Sequence, residues 1–178
     1  RCVSPDAPSP ASRPLPQGEA RADAWERPGA GPSRRRTPLR VACVGHASLD
    51  LVFEVDTLPS AQSGKTLARR HTRRAGGMSL HAAIAAARLG ASVRMIGRVG
   101  DDEAATFLRQ RLDDEGVEAR GLESVRGAST SCASVVVDPR GERQIVVHRG
   151  DALARAHALD LRLLEGADVL LVDPRWPD

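Results

Sequence analysis

The sequence predicts an α/β fold built on a mostly parallel sheet, and three observations carry that expectation. Short apolar runs at 39–45, 92–99 and 168–173 lack the strict alternation of a one-sided strand, so they read as strands buried on both faces. The alanine-rich stretch 78–89 lies between the first two, contains no proline and stops at Gly90, so it reads as a helix. β-Branched runs at 132–137 and 144–147 flank Asp138-Pro139-Arg140-Gly141, which suits a type I turn, and together they read as a hairpin.

Residues 1–38 come first and hold most of the prolines, with Ser, Gly, Ala and Arg and almost no large apolar side chain. Such a stretch buries too little to offset its ordering entropy, so a disordered Pro/Arg-rich tail is expected. Arg34-Arg35-Arg36 reads as part of that solvated tail, and Asp6, Glu19, Asp23 and Glu26 count against a transit peptide. Order begins at Leu39. A second strand is expected at 51–55, closed by Pro59, and a more exposed third at 65–72. In the helix at 78–89, Leu80, Ala83, Ile84 and Ala87 fall on one side, while Ala82, Ala85, Ala86 and Leu89 cover much of the other. Burial all round is therefore expected.

Residues 102–115 read as an amphipathic helix with Ala105, Leu108 and Leu112 inward and Gly116 as its stop. Residues 158–165 read as a further helix ended by Gly166, and Pro174 closes the last strand. The segments at about 51–72 and 130–149 break the strand–helix alternation.

Composition removes several function classes. The net charge is +3, from 26 basic and 23 acidic residues, and all but one of the basic residues are arginines. Lys65 is the exception. Such a skew fits a GC-rich coding background, so it is not read as a nucleic-acid signal, and no nucleic-acid partner is expected. Cys2, Cys43 and Cys132 are too far apart for a metal-spaced pair or a disulfide framework, which suits a reducing cytoplasm. No apolar run reaches the length of a membrane span. Ser63-Gly64-Lys65-Thr66 has the end of a P-loop, but Pro59 stands where that motif needs glycine. Gly45 lacks the partners of a dinucleotide-binding Gly-x-Gly-x-x-Gly. The five histidines have no metal-ligand spacing, and no metal ligand is assigned.

Three motifs remain. Gly76-Gly77 precedes the alanine-rich helix, which ends in Arg88-Leu89-Gly90; Gly97-Arg98-Val99-Gly100-Asp101-Asp102 follows a strand; and Gly45-His46-Ala47-Ser48-Leu49-Asp50 follows the first one. In that order and spacing they resemble the ribokinase-like (PfkB) carbohydrate kinases, over about residues 40–178. The resemblance implies a ribokinase-like α/β fold, a parallel sheet flanked by helices with a small β lid. Residues 39–178 would be its N-terminal part, with the C-terminal half missing. The lid segments, at 51–72 and 130–149, would cover a sugar, and in the family such lids are often shared in a dimer, so a homodimer through the lid is implied. The chain begins with arginine and stops just after a strand, which reads as a fragment.

For the complete enzyme the resemblance implies transfer of the γ-phosphoryl of ATP, with Mg²⁺, to a sugar hydroxyl. Asp50 would accept hydrogen bonds from the sugar, and the backbone of Gly76 and Gly77 would lie against it. Ser48 and His81 stand where the family usually has asparagine. His81 either keeps a polar sugar contact or packs on its own helix. Asp173 matches an acidic position that often faces the site, and it is equally a strand-terminal turn former. No catalytic residue is assigned, because the general base and the anion hole are expected beyond Asp178, and the chain by itself is expected to be inactive. A nucleoside kinase of the same family and a non-catalytic sugar-binding or dimerisation module are the alternatives. Gly77→Val is expected to raise the sugar KM far more than it lowers stability.

Overall fold

Val41, Ala42, Cys43 and Val44 are all buried, and the strand they form takes an interior place in a sheet, as their continuous apolar character requires. The computed structural model describes residues 37–60, 64–150, 152–153, 155 and 158–175. The expected tail falls outside them except at Thr37 and Pro38, which are exposed. In chain order the elements are β1 (Arg40–Val44), β2 (Ser48–Val55), β3 (Ala68–Gly76), α1 (Met78–Arg88), β4 (Ser92–Val99), α2 (Glu103–Asp114), β5 (Glu118–Ser124), β6 (Cys132–Val137), β7 (Arg143–His148), a single 3₁₀ turn (Leu161–Leu164) and β8 (Val169–Val172).

The strands form two four-stranded sheets. The first has the order β5-β4-β1-β8 and every neighbouring pair in it is parallel. The second has the order β3-β2-β6-β7, with antiparallel pairs at both sides and the parallel pair β2–β6 between them. The hairpin β6–β7 turns where the sequence predicts it, with Asp138 accepting hydrogen bonds from the N–H groups of Arg140 (2.9 Å) and Glu142 (3.0 Å).

One face of the parallel sheet carries the main core, in which Leu80, Ala83, Leu108 and Leu112 from the two helices pack on Val41, Cys43, Val93 and Met95. The other face, Ala42, Val44 and Ile96, is covered by Leu159, Leu163 and Leu164. The Cys43 thiol is fully buried, and that burial pushes its pKa up to about 11, so it packs as a small apolar side chain and not as a nucleophile.

Three expectations need correction, and one strand is additional to them. α1 buries only Ser79, Leu80 and Ala83, while Leu89 just beyond it is 89% exposed, because alanine satisfies helix propensity on a solvated face as readily as in a core. The expected helix at 158–165 is the single turn Leu161–Leu164. The Arg94 guanidinium takes the Leu163 carbonyl (2.6 Å), and Asp168 is already bound to the Arg40 backbone (2.9 Å), which leaves no length for a second turn. β8 was expected to be buried, yet it is an edge strand whose four side chains are 37–60% exposed. β5 has no counterpart in the sequence reading.

Asp102 ties α2 to the loop before β6. Its carboxylate caps the helix at the Ala105 N–H (2.9 Å) and accepts from both the N–H (2.7 Å) and the hydroxyl (2.6 Å) of Thr130. Burial pushes the carboxyl up, but the Thr130 and Ala105 hydrogen bonds outweigh it and hold it below the ordinary carboxylate value. A carboxyl lowered in the folded state contributes stability that is full above its unfolded value and is lost as pH falls through the folded one. Asp102→Ala is therefore expected to lower stability by about 2 kcal/mol at pH 7. In urea unfolding its deficit against the parent shrinks as the pH is taken down to 3. A deficit that stays constant across that range would refute this role.

Candidate functional site

The candidate site lies beyond the C-terminal end of β1, where open α/β sheets place their ligands. The chain leaves β1 at Gly45, whose N–H still donates to the Ile96 carbonyl (2.9 Å), and crosses into the second sheet within three residues. Asp173, just past β8, comes to the same place, its N–H donating to the Val44 carbonyl (2.9 Å). α1 starts there too, with the Ser79 hydroxyl donating to the Val44 carbonyl (2.8 Å).

Asp50 differs from its expected position just past β1. It is the third residue of β2, in register with Arg74 of β3 and Ala133 of β6. Two residues earlier, Ser48 is buried and donates its hydroxyl to Asp50 Oδ1 (3.1 Å). Gly76 lies directly against that carboxylate: a Cβ on Gly76 would stand 2.3 Å from Asp50 Oδ1. Ser48, Asp50 and Gly76 thus meet at one point. Gly77 follows at φ 100°, between the end of β3 and the start of α1, and a Cβ there would stand 2.3 Å from the His46 carbonyl oxygen. No side chain caps the α1 N-terminus, so its first-turn N–H groups lack the usual partner.

His81, one turn into α1, is exposed, and its Nε2 lies 3.0 Å from the Ala75 carbonyl oxygen, so the ring rests on the end of β3. Asp173 is 3% exposed. Its carboxylate accepts from the Arg175 N–H (3.0 Å) and guanidinium (3.2 Å), as a turn former does, and from the His46 N–H (3.4 Å). Burial pushes Asp173 up, but the Arg175 hydrogen bonds and charge outweigh it and hold the carboxyl below its ordinary range.

His46 is the residue the sequence reading passed over, although it stands inside the motif that supplied Ser48 and Asp50. The half-buried ring is held below the usual histidine pKa, by burial first and then by the Arg175 and Arg149 cations, with the Asp173 and Asp50 carboxylates opposing them. Two cations and two carboxylates therefore act on one imidazole. The clefts of about 170 and 280 Å³ elsewhere in the chain, lined by Arg40, Arg94 and Glu118 and by Ile96, Arg120 and Leu159 among others, do not include Asp50 or Gly77.

Residues 38–174 match the model of the pfkB family carbohydrate kinases. The chain belongs to that family. It is 37% identical over 145 residues to ribokinase of Bacillus subtilis, covering 79% of this chain and 48% of that protein. Fructokinase-2 of Solanum lycopersicum is 33% identical over 132 residues, covering 67% of this chain and 40% of that one. Among solved structures, Arabidopsis thaliana ribokinase in complex with ribose and ATP superposes with a TM-score of 0.64 at 25% identity, over 78% of this chain and 46% of that one. The chain spans about half the length of the curated relatives it matches. The ribokinase fold expected from the sequence is thus present.

Proposed function

We propose that the protein phosphorylates a hydroxyl of a small sugar with ATP, and that this chain supplies the part that holds the sugar. The observation that carries the reading is the Asp50 carboxylate laid over Gly76, beside the α1 N-terminus, in a chain of the pfkB family. The carboxylate accepts hydrogen bonds from two neighbouring sugar hydroxyls, and the Ser48 hydroxyl fixes its orientation. The backbone at Gly76 and Gly77 lies against the ring, which a larger side chain would block. Burial lowers the His46 pKa and so favours the neutral ring, which has one N–H donor and one acceptor, and Asp173 and His81 complete the polar residues of the proposed site.

ATP supplies the γ-phosphoryl group when bound. Among the described residues no group of three or more His, Cys, Asp or Glu side chains is placed to hold a metal ion, so no Mg²⁺ site is assigned to them. The general base and the anion hole are assigned to residues beyond Asp178. The second sheet acts as the lid, and two lids pair in a homodimer. No described helix is long and apolar enough to cross a membrane. The widely separated cysteines support a place in the reducing cytoplasm.

The test is ADP release over a panel of pentoses, hexoses and nucleosides, run on the full-length protein and on the 178-residue chain. Sugar-dependent release is expected from the former and none from the latter, since a positioned base alone contributes about 10²–10⁴-fold. Turnover by the short chain would place the chemistry within these residues. A response to nucleosides and not to sugars would replace the acceptor named here.

A further inference from the structure

The chain passes between the two sheets by connections of unequal length. Those at 45–47, between β1 and β2, and at Gly77, between β3 and α1, are short and fix the β2–β3 side directly. Those at 125–131, into β6, and at 149–160, out of β7, are longer, so the chain alone holds the β6–β7 hairpin less firmly. Residues of a single turn, 98–102, tie both of them. On the way in, the Gly127 N–H donates to Asp101 (3.0 Å), the Gly100 N–H donates to the Thr130 hydroxyl (2.9 Å), and Asp102 holds the Thr130 N–H. On the way out the tie is Arg98. Its guanidinium donates to the Leu153 carbonyl (3.0 Å), the Arg155 carbonyl (3.2 Å) and the Glu123 carboxylate (3.3 Å), and the side chain is only 9% exposed. The stretch it grips is itself pinned to the hairpin. The Leu153 N–H donates to the Gly150 carbonyl (2.8 Å), and the Ser131 hydroxyl, just before β6, donates to the Arg149 carbonyl (2.5 Å).

We infer that Arg98 is a positioning residue for the lid: it fastens the β7 end of the second sheet to the parallel sheet and so keeps that sheet in place over the Asp50 site. The inference rests on the second sheet being the lid of a sugar site. The residue type suits the task. A guanidinium carries five N–H donors in a planar fork, enough for two carbonyl oxygens and a carboxylate at once, whereas a lysine ammonium is a point charge on a flexible stem. Burial raises the stakes, because removing Arg98 takes a charged donor from two carbonyls in a place that water reaches poorly. Arg94 supplies the contrast. Two residues earlier on β4 and projecting from the same face, it pairs with Glu118 (3.1 Å) and donates to the Leu163 carbonyl (2.6 Å). That tie runs to the 3₁₀ turn and not to the lid.

The experiment compares Arg98→Met, Arg98→Lys and Arg94→Met in the full-length protein, by ATP-dependent turnover of ribose and fructose, by melting temperature and by amide hydrogen exchange. Arg98→Met is expected to raise the sugar KM about 10-fold while kcat changes by less than about 2-fold. Exchange across Arg143–His148 quickens in it, while Arg40–Val44 keeps its protection. Arg98→Lys shows both changes in smaller measure. Arg94→Met lowers the melting temperature by a similar amount but leaves KM and the exchange of β7 as in the parent. A KM in Arg98→Met that matches the parent's, or that rises no further than in Arg94→Met, would overturn the inference and leave the sugar site standing. If Arg98→Met does not fold, a lysine variant with the parent's KM and β7 exchange would overturn it instead. A parent that turns over neither sugar would sink the acceptor site and the KM effect with it, and the exchange of β7 would then decide the tie by itself.

Discussion

Gly77→Val is expected to destabilise the domain by about 3 kcal/mol or more, a fall of roughly 10 °C in melting temperature. Gly77 sits at φ 100°, where a β-branched residue is strained whatever surrounds it. The added Cβ would also stand 2.3 Å from the His46 carbonyl oxygen and 2.8 Å from the Ala47 Cα, both backbone atoms that cannot swing aside. This reverses the order of effects expected from the sequence, in which sugar KM dominated, because the crowding comes from the protein's own chain. Gly76→Ala is the contrasting change. Its backbone lies outside the positive-φ region, and its Cβ would meet the tip of Asp50, a side chain that can turn. A small loss of melting temperature with a weakened sugar site is expected there. A valine variant at 77 that melts with the parent would show that the 46–47 backbone yields.

Asp50→Ala is expected to weaken sugar binding by about 100-fold or more, the loss of two charge-assisted hydrogen bonds. Folding is expected to survive, because among the described residues the carboxylate accepts one side-chain hydrogen bond, from Ser48, and the strand around it is held by backbone pairing on both sides. The readouts are sugar-dependent ADP release by the full-length variant and its melting temperature. An alanine variant that keeps the parent's KM would remove Asp50 from the site. One that loses its melting transition instead would make Asp50 a structural residue.

What the sequence made legible follows from how strongly each segment is driven. β1 and β4 are continuous apolar runs, and α2 repeats Ala105, Leu108 and Leu112 at helical spacing, so burial and sequence agree. β5 was invisible because Glu118–Ser124 buries only Gly121 and Leu122. Its pairing with β4 is a tertiary gain, and no local pattern announces it. β3 is mostly charged along its length, so its extent to Gly76, and with it the placing of Arg74 opposite Asp50, came only from the register with β2. The site shows the same division. Its motif residues were readable one by one, but the laying of Gly76 on the Asp50 carboxylate depends on two strands meeting, and the electrostatic surroundings of His46 depend on residues from three parts of the chain.

The pairing of β1 with β8 has a consequence in time. Arg40 and Asp168, which close that edge, are 128 residues apart in the chain. On a ribosome adding about 5–20 residues per second, β1 emerges roughly 6 to 25 s before its partner exists. β4 covers one side of β1 much sooner. The other side waits with its N–H and C=O groups unpaired, beside the apolar face of Ala42 and Val44. An unpaired strand edge recruits whatever extended chain is near it. During synthesis, then, the most vulnerable part of the molecule is the strand that ends up among its best protected.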